Sequence, residues 1–122
     1  MDKKINQLIE IAEFAMEAND YAHAEKKYIN ALYLMDNPKS EEYQKVVNKL
    51  AKCYAAQKNF AGSKECLEEL LFDAKKNKNL DKEAEYLHAL AVNTRNMEEY
   101  DLASLMCEEE ITFRLTHFPD DY

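Results

Sequence analysis

The side chains able to do chemistry are few and scattered. The histidines are His23, His88 and His117, and the cysteines are Cys53, Cys66 and Cys107. A helical metal site needs His or Cys three or four residues apart, and no such pair occurs, so no metal is expected. An odd number of cysteines with no C-x-x-C reads as reduced thiols in a reducing compartment. Cys66 reads as a buried structural thiol. No serine sits in a nucleophile elbow, because the glycines of that turn are missing. Glu108, Glu109 and Glu110 are consecutive. Successive helical side chains point about 100° apart, so three in a row diverge and read as a solvated acidic face. No catalytic residue and no cofactor is expected, and the protein is not expected to be an enzyme.

Binding chemistry has one clear signal. Lys45, Lys49 and Lys52 step by four and three, which places them on one helical face. Such a stripe suits an acidic peptide segment, or is simply a solvated face. Asn48 and Asn96 can each donate to and accept from an extended peptide backbone.

Composition narrows the classes. The chain has 122 residues, enough for one core without metals or disulfides. A single glycine, Gly62, makes tight β-hairpins unfavourable and cannot supply a glycine-rich phosphate loop. The formal charge is −8. Residues 1–97 hold 15 basic against 16 acidic side chains, whereas residues 98–122 hold Arg114 against eight acids. The acidity is therefore a local C-terminal feature, and its sign argues against nucleic acid as a partner. No apolar run is long enough for a membrane span, so the expectation is a cytoplasmic protein with no membrane partner.

These residues must be carried by helices. Apolar residues recur at three- and four-residue steps, as in Ile5, Leu8, Ile9, Ala12, Ala15 and Met16, or Tyr43, Val46, Val47, Leu50, Cys53 and Tyr54. The spacing predicts six helices near 3–18, 21–35, 40–57, 60–77, 80–96 and 99–116. Asp20, Ser40 and Asn59 are the expected N-caps. Short connections require neighbouring helices to run antiparallel.

The helices also repeat. Ala12, Ala51 and Ala91 are each followed nine residues on by an aromatic: Tyr21, Phe60 and Tyr100. Three further on stands a small residue: Ala24, Ser63 and Ala103. The period is 39 residues, then 40. Small residues let two antiparallel helices approach closely, and aromatics fill the wedge between hairpins.

With Tyr28 and Ala31 completing repeat one, these residues resemble the tetratricopeptide repeat (TPR) pattern. Repeat two adds Leu50, Tyr54 and Leu71, and repeat three Leu90. The period exceeds the family's usual 34, the repeat-ending proline is displaced or absent, and Cys107 and Glu110 stand where an aromatic and Ala are the rule. The resemblance implies an all-α fold, a right-handed TPR-like superhelix of three antiparallel hairpins. It implies one domain over residues 1–122, with repeats about 5–40, 41–79 and 80–117. It also implies a concave face on the first helix of each repeat. That face would hold Asn6, Ile9, Glu10, Glu13, Met16 and Glu17; then Lys45, Asn48, Lys49 and Lys52; then Glu85, His88, Ala89, Val92, Arg95 and Asn96.

The expected function is a protein–protein interaction module binding a peptide or helix of a partner protein in that groove, with an acidic segment suited to the lysine stripe. A peptide-sensing regulator fragment or a three-repeat secretion chaperone are the alternatives. Members that clamp the C-terminal carboxylate of heat-shock chaperones carry Lys, Asn, Asn, Lys and Arg where this chain has Ile9, Glu13, Lys49, Glu85 and Ala89, so that role is not expected. The sixth helix carries more apolar residues (Leu102, Leu105, Met106, Ile111, Phe113, Leu115) than one face can hide. Such a surplus suggests self-association, as a homodimer through the C-terminal hairpin, or a partner, or truncation from a longer protein.

Overall fold

The structure, a computed structural model, describes residues 2–121; Met1 and Tyr122, the end residues of the expected domain, lie outside it, as does the side chain of Asp121. The described residues form six α-helices, one short 3₁₀ turn and no strand: α1 Lys3–Glu17, α2 Tyr21–Leu34, α3 Glu41–Ala56, α4 Phe60–Lys76, α5 Leu80–Asn96 and α6 Tyr100–His117. The fold is all-α, and each helix lies within two residues of its expected bounds.

Four of the links share one construction. A residue with positive φ ends the helix, and the next residue opens the following one. The left-handed residues are Asn19, Lys58, Lys78 and Glu98, with φ of 61°, 63°, 55° and 65°. After each, a backbone N–H reaches six residues' span back: Asp20 to the Ala15 carbonyl at 2.8 Å, Asn59 to Tyr54 at 2.8 Å, Asn79 to Ala74 at 2.9 Å and Glu99 to Thr94 at 3.2 Å. This is the Schellman-type closure, normally built on glycine. Here the turns use lysine and glutamate as well as asparagine, at a conformational cost.

The residue after each turn then caps the next helix. Asp20 accepts from the His23 N–H at 3.4 Å, Asn59 from Gly62 at 3.1 Å and Asn79 from Lys82 at 3.3 Å. Ser40 caps α3 through Tyr43 at 3.2 Å. Glu99 makes no side-chain cap bond. Gly62 serves crowding rather than a turn. A Cβ there would lie 2.9 Å from Asn59 Nδ2 and 3.2 Å from Tyr54 Cδ2.

The chain divides into two compact units, Met1–Cys66 and Leu67–Tyr122. In the first, α1 packs on α2 and α2 on α3. Ala12, Ala15, Ala24, Tyr28, Val46, Leu50 and Cys53 form one buried cluster, flanked by Ile9, Met16, Tyr21, Leu32, Tyr54 and Cys66. Ala12 and Ala24 are fully buried, as close helix crossing requires. Ala51 and Ser63 are also buried. In the second unit α5 packs on α6, with Ala84, Tyr86, Leu90, Ala91 and Ala103 buried, and α4 contributes buried Leu67, Leu70 and Ala74. The six small repeat positions are thus all interior.

Candidate functional site

In the first unit the lysine stripe is partly occupied. Lys49 is half-buried and hydrogen-bonds the Glu13 carboxylate of α1. Lys45 is exposed, with Glu41 at 3.7 Å one turn earlier. Lys52 is exposed and has no carboxylate partner among the described residues, and Asn48 is half-buried. Glu13 and Lys49 thus fasten α3 to α1. At the far end of α3, the Cys53 thiol donates to the Tyr21 carbonyl at 3.1 Å, and Gln57 Nε2 donates to Glu25 Oε1 at 2.8 Å. Burial, with the Glu25 charge beside it, pushes the Cys53 thiol up; hydrogen bonding to Gln57 and to backbone offsets part of this. Burial, then the charges of Glu13 and Cys53, pushes the Tyr28 phenol up to about 12. Both groups are protonated packing elements at neutral pH.

In the second unit, three expected binding residues converge. His88, Val92 and Arg95, with Ala91, line the α5 side of a groove of about 250 Å³. Tyr100, Ala103, Ser104 and Cys107 line its α6 side. Arg95 and His88 are exposed and Val92 is half-buried. Asn96 is exposed but is not among the lining residues. Tyr100 is 63% exposed, so it does not act as the buried wedge its repeat position implied.

Adjoining this groove through His88 is a polar cluster that the sequence reading placed wrongly. Glu110 is not part of a solvated face: it is 9% exposed and held on both sides. His88 Nδ1 lies 2.9 Å from Glu110 Oε1, and Arg114 Nε donates to Glu110 Oε2 at 2.8 Å. A carboxylate only accepts, so the His88 ring carries a proton on Nδ1. Arg114 Nη2 also reaches the Ala84 carbonyl of α5 at 3.4 Å. Burial alone would raise the Glu110 pKa. The hydrogen bonds and charges of His88 and Arg114 outweigh it and hold the carboxyl below its ordinary range. Glu108 and Glu109 are exposed as expected.

Two signals in the sequence pointed to this cluster. Glu110 and Arg114 are four apart on a helix, and Glu110 stands at the repeat position of Ala31, which is buried. The cluster ties α6 to α5. No hydrogen bond among the described residues joins His88 to Ser104 or Cys107, so the groove holds no assembled nucleophile and base. No group of three His, Cys, Asp or Glu among the described residues is arranged to hold a metal ion, and no helix of those residues is long and apolar enough to cross a membrane.

Compared with known proteins, the chain matches no family model and no curated sequence.

Proposed function

We propose that this protein is a cytoplasmic, non-catalytic protein–protein interaction module built from TPR-like hairpins, which takes a peptide or helix of a partner protein. The observation that carries the reading is the α5–α6 groove. It has an apolar floor of Ala91, Val92 and Ala103 and a polar rim of His88 and the cationic Arg95. Three of its lining residues are ones that the repeat pattern assigns to ligand contact. In the first unit, Lys52 adds an exposed cation, and Lys45 holds its glutamate only by an exposed pair, which costs little to exchange.

Peptides selected from a random library on the immobilised protein test the reading. We expect enrichment of acidic sequences and loss of their binding in Arg95→Glu or in Lys45→Glu/Lys49→Glu/Lys52→Glu. Failure to enrich any peptide over blank resin would overturn it. Self-association through α6 is a second reading, favoured by exposed Leu102 and Leu105, which lie outside the groove lining. Light scattering over a dilution series checks it. A mass constant at that of the monomer excludes it.

A further inference from the structure

The two terminal hairpins can be laid over one another by the repeat. Two periods back from the groove, His88 corresponds to Ile9, Ala91 to Ala12, Val92 to Glu13 and Arg95 to Met16. On the second helix Tyr100 corresponds to Tyr21, Ser104 to Glu25 and Cys107 to Tyr28. In the first unit this same face is covered by a helix. Val46, Leu50 and Cys53 of α3 pack with Ala12, Ala24 and Tyr28, while Lys49 meets Glu13 and Gln57 meets Glu25. The groove is thus the counterpart of a helix-binding face whose occupant is known in detail.

From this correspondence we infer that the α5–α6 groove docks an amphipathic helix of a partner protein, seated as α3 is on α1–α2, with an apolar stripe on the floor and a carboxylate against Arg95. The differences between the two faces specify the occupant. Val92 replaces Glu13, so a residue at the Lys49 position meets an apolar side chain in place of a carboxylate, and an apolar residue suits it best. Arg95 replaces Met16. In the first unit Lys49 meets Glu13, while Cys53 and Gln57 meet Tyr21 and Glu25 beside the α1–α2 turn, so α3 runs in the direction of α1. One turn beyond Glu13 is Met16, and one turn beyond Lys49 is Lys52. The part of the incoming helix one turn beyond the Lys49 position, which includes the Lys52 position, is therefore the part nearest Arg95, and an acidic residue there complements it. Cys107 replaces the larger Tyr28, which leaves room for a larger apolar side chain from the incoming helix.

A second copy of this chain does not meet that pattern with α3. Its Lys49 would lie against Val92 without the carboxylate it meets in the first unit, and its Lys52 would bring a second cation toward Arg95. The inference rests on the interaction-module reading and narrows it to one groove and one class of ligand.

The probe is a fluorescent synthetic peptide of residues 41–57 carrying Lys49→Leu and Lys52→Glu, titrated into the full chain. The unaltered 41–57 peptide is the control. We expect saturable binding of the altered peptide at least about tenfold tighter than the control, a difference of ~1.4 kcal/mol. Ser104→Trp, an exposed change that fills the groove, should weaken it by at least about tenfold. Arg95→Glu should do the same, and restoring Lys at position 52 of the peptide should recover binding to that variant. Circular dichroism confirms that each variant is folded. Absence of saturable binding, or binding indifferent to Ser104→Trp, overturns the inference. So does a dimer of the chain itself that Ser104→Trp dissociates, which would make a second copy the occupant. If library peptides bind the protein but compete at a surface that Ser104→Trp leaves untouched, the interaction-module reading survives and this inference fails.

Discussion

The α1–α2 and α5–α6 hairpins share a framework and differ in what lies over it. Both bury alanine at the crossing: Ala12 and Ala24 in one, Ala91 and Ala103 in the other. In the first hairpin the outer face is closed by α3, and Tyr28 is 2% exposed. In the second the corresponding face is a groove, with Cys107 exposed and Tyr100 63% exposed. The polar bonds differ in the same way. Glu13 and Glu25 of the first hairpin reach outward to α3, whereas Glu110 of the second is turned inward onto His88 and Arg114. A repeat framework thus fixes helix crossing, while the residues layered on it decide whether a face is closed by a further helix or stays an open groove.

The sharpest way to break this comparison is to overpack the two crossings. Ala24→Arg forces a charge into a fully buried site, and we expect a loss of about 4 kcal/mol or more, enough to unfold the first unit. Ala103→Arg borders the open groove, where the guanidinium can reach water, and should cost about half as much. Thermal melts of the two variants test this. Equal losses would show that the second face is as closed as the first.

Next in size is the inward cluster. Glu110→Gln removes the acceptor charge from Arg114 and His88, and should cost about 1–3 kcal/mol at pH 7 in a urea titration. The sign with pH follows from the lowered pKa of Glu110. A carboxyl whose folded pKa is depressed stabilises above its ordinary value of 4.5 and loses that contribution as pH falls through the folded value. The gap between wild type and Glu110→Gln should therefore hold from pH 7 to about 5 and close below its ordinary 4.5. A gap independent of pH would contradict the assignment.

Caps come third. Asp20→Ala should destabilise by ~1 kcal/mol, while Glu99→Asp, at the one helix start of this type without a side-chain cap bond, should stabilise by roughly 0.5–1 kcal/mol. Melting temperatures moving in the same direction for both changes would contradict it. Smallest is the Lys49–Glu13 pair, exposed over 41% and 46% of its side chains. A double-mutant cycle should give a coupling below about 1 kcal/mol, and added salt should shrink it.

Much of this was legible in the sequence. Helical periodicity and the turn residues gave six helices and the caps at Asp20, Ser40 and Asn59, because those signals are local. The 39- and 40-residue spacing located the six small interior residues, because close crossing tolerates little else. Glu110 was misplaced because its burial depends on His88, 22 positions away, and a run of three glutamates reads as solvated when only neighbours are considered. The left-handed turns at Lys58, Lys78 and Glu98 were hidden for a related reason. Backbone closure overrides residue preference there, and neither lysine nor glutamate advertises positive φ. The partial occupation of the lysine stripe likewise needed the packing of α3 on α1.

Thiol labelling tests the central claim most directly. Cys107 lies exposed in the open groove, while Cys53 of α3 is buried against α1–α2 and has its pKa raised. Mass spectrometry after a maleimide pulse reads both at once. Rapid modification of Cys107 is expected in the free protein, slowed by at least about tenfold when the 41–57 peptide carrying Lys49→Leu, Lys52→Glu and a thiol-free Cys53→Ala is saturating, with the protein's Cys53 slow throughout. A Cys107 rate unchanged by the peptide would contradict it.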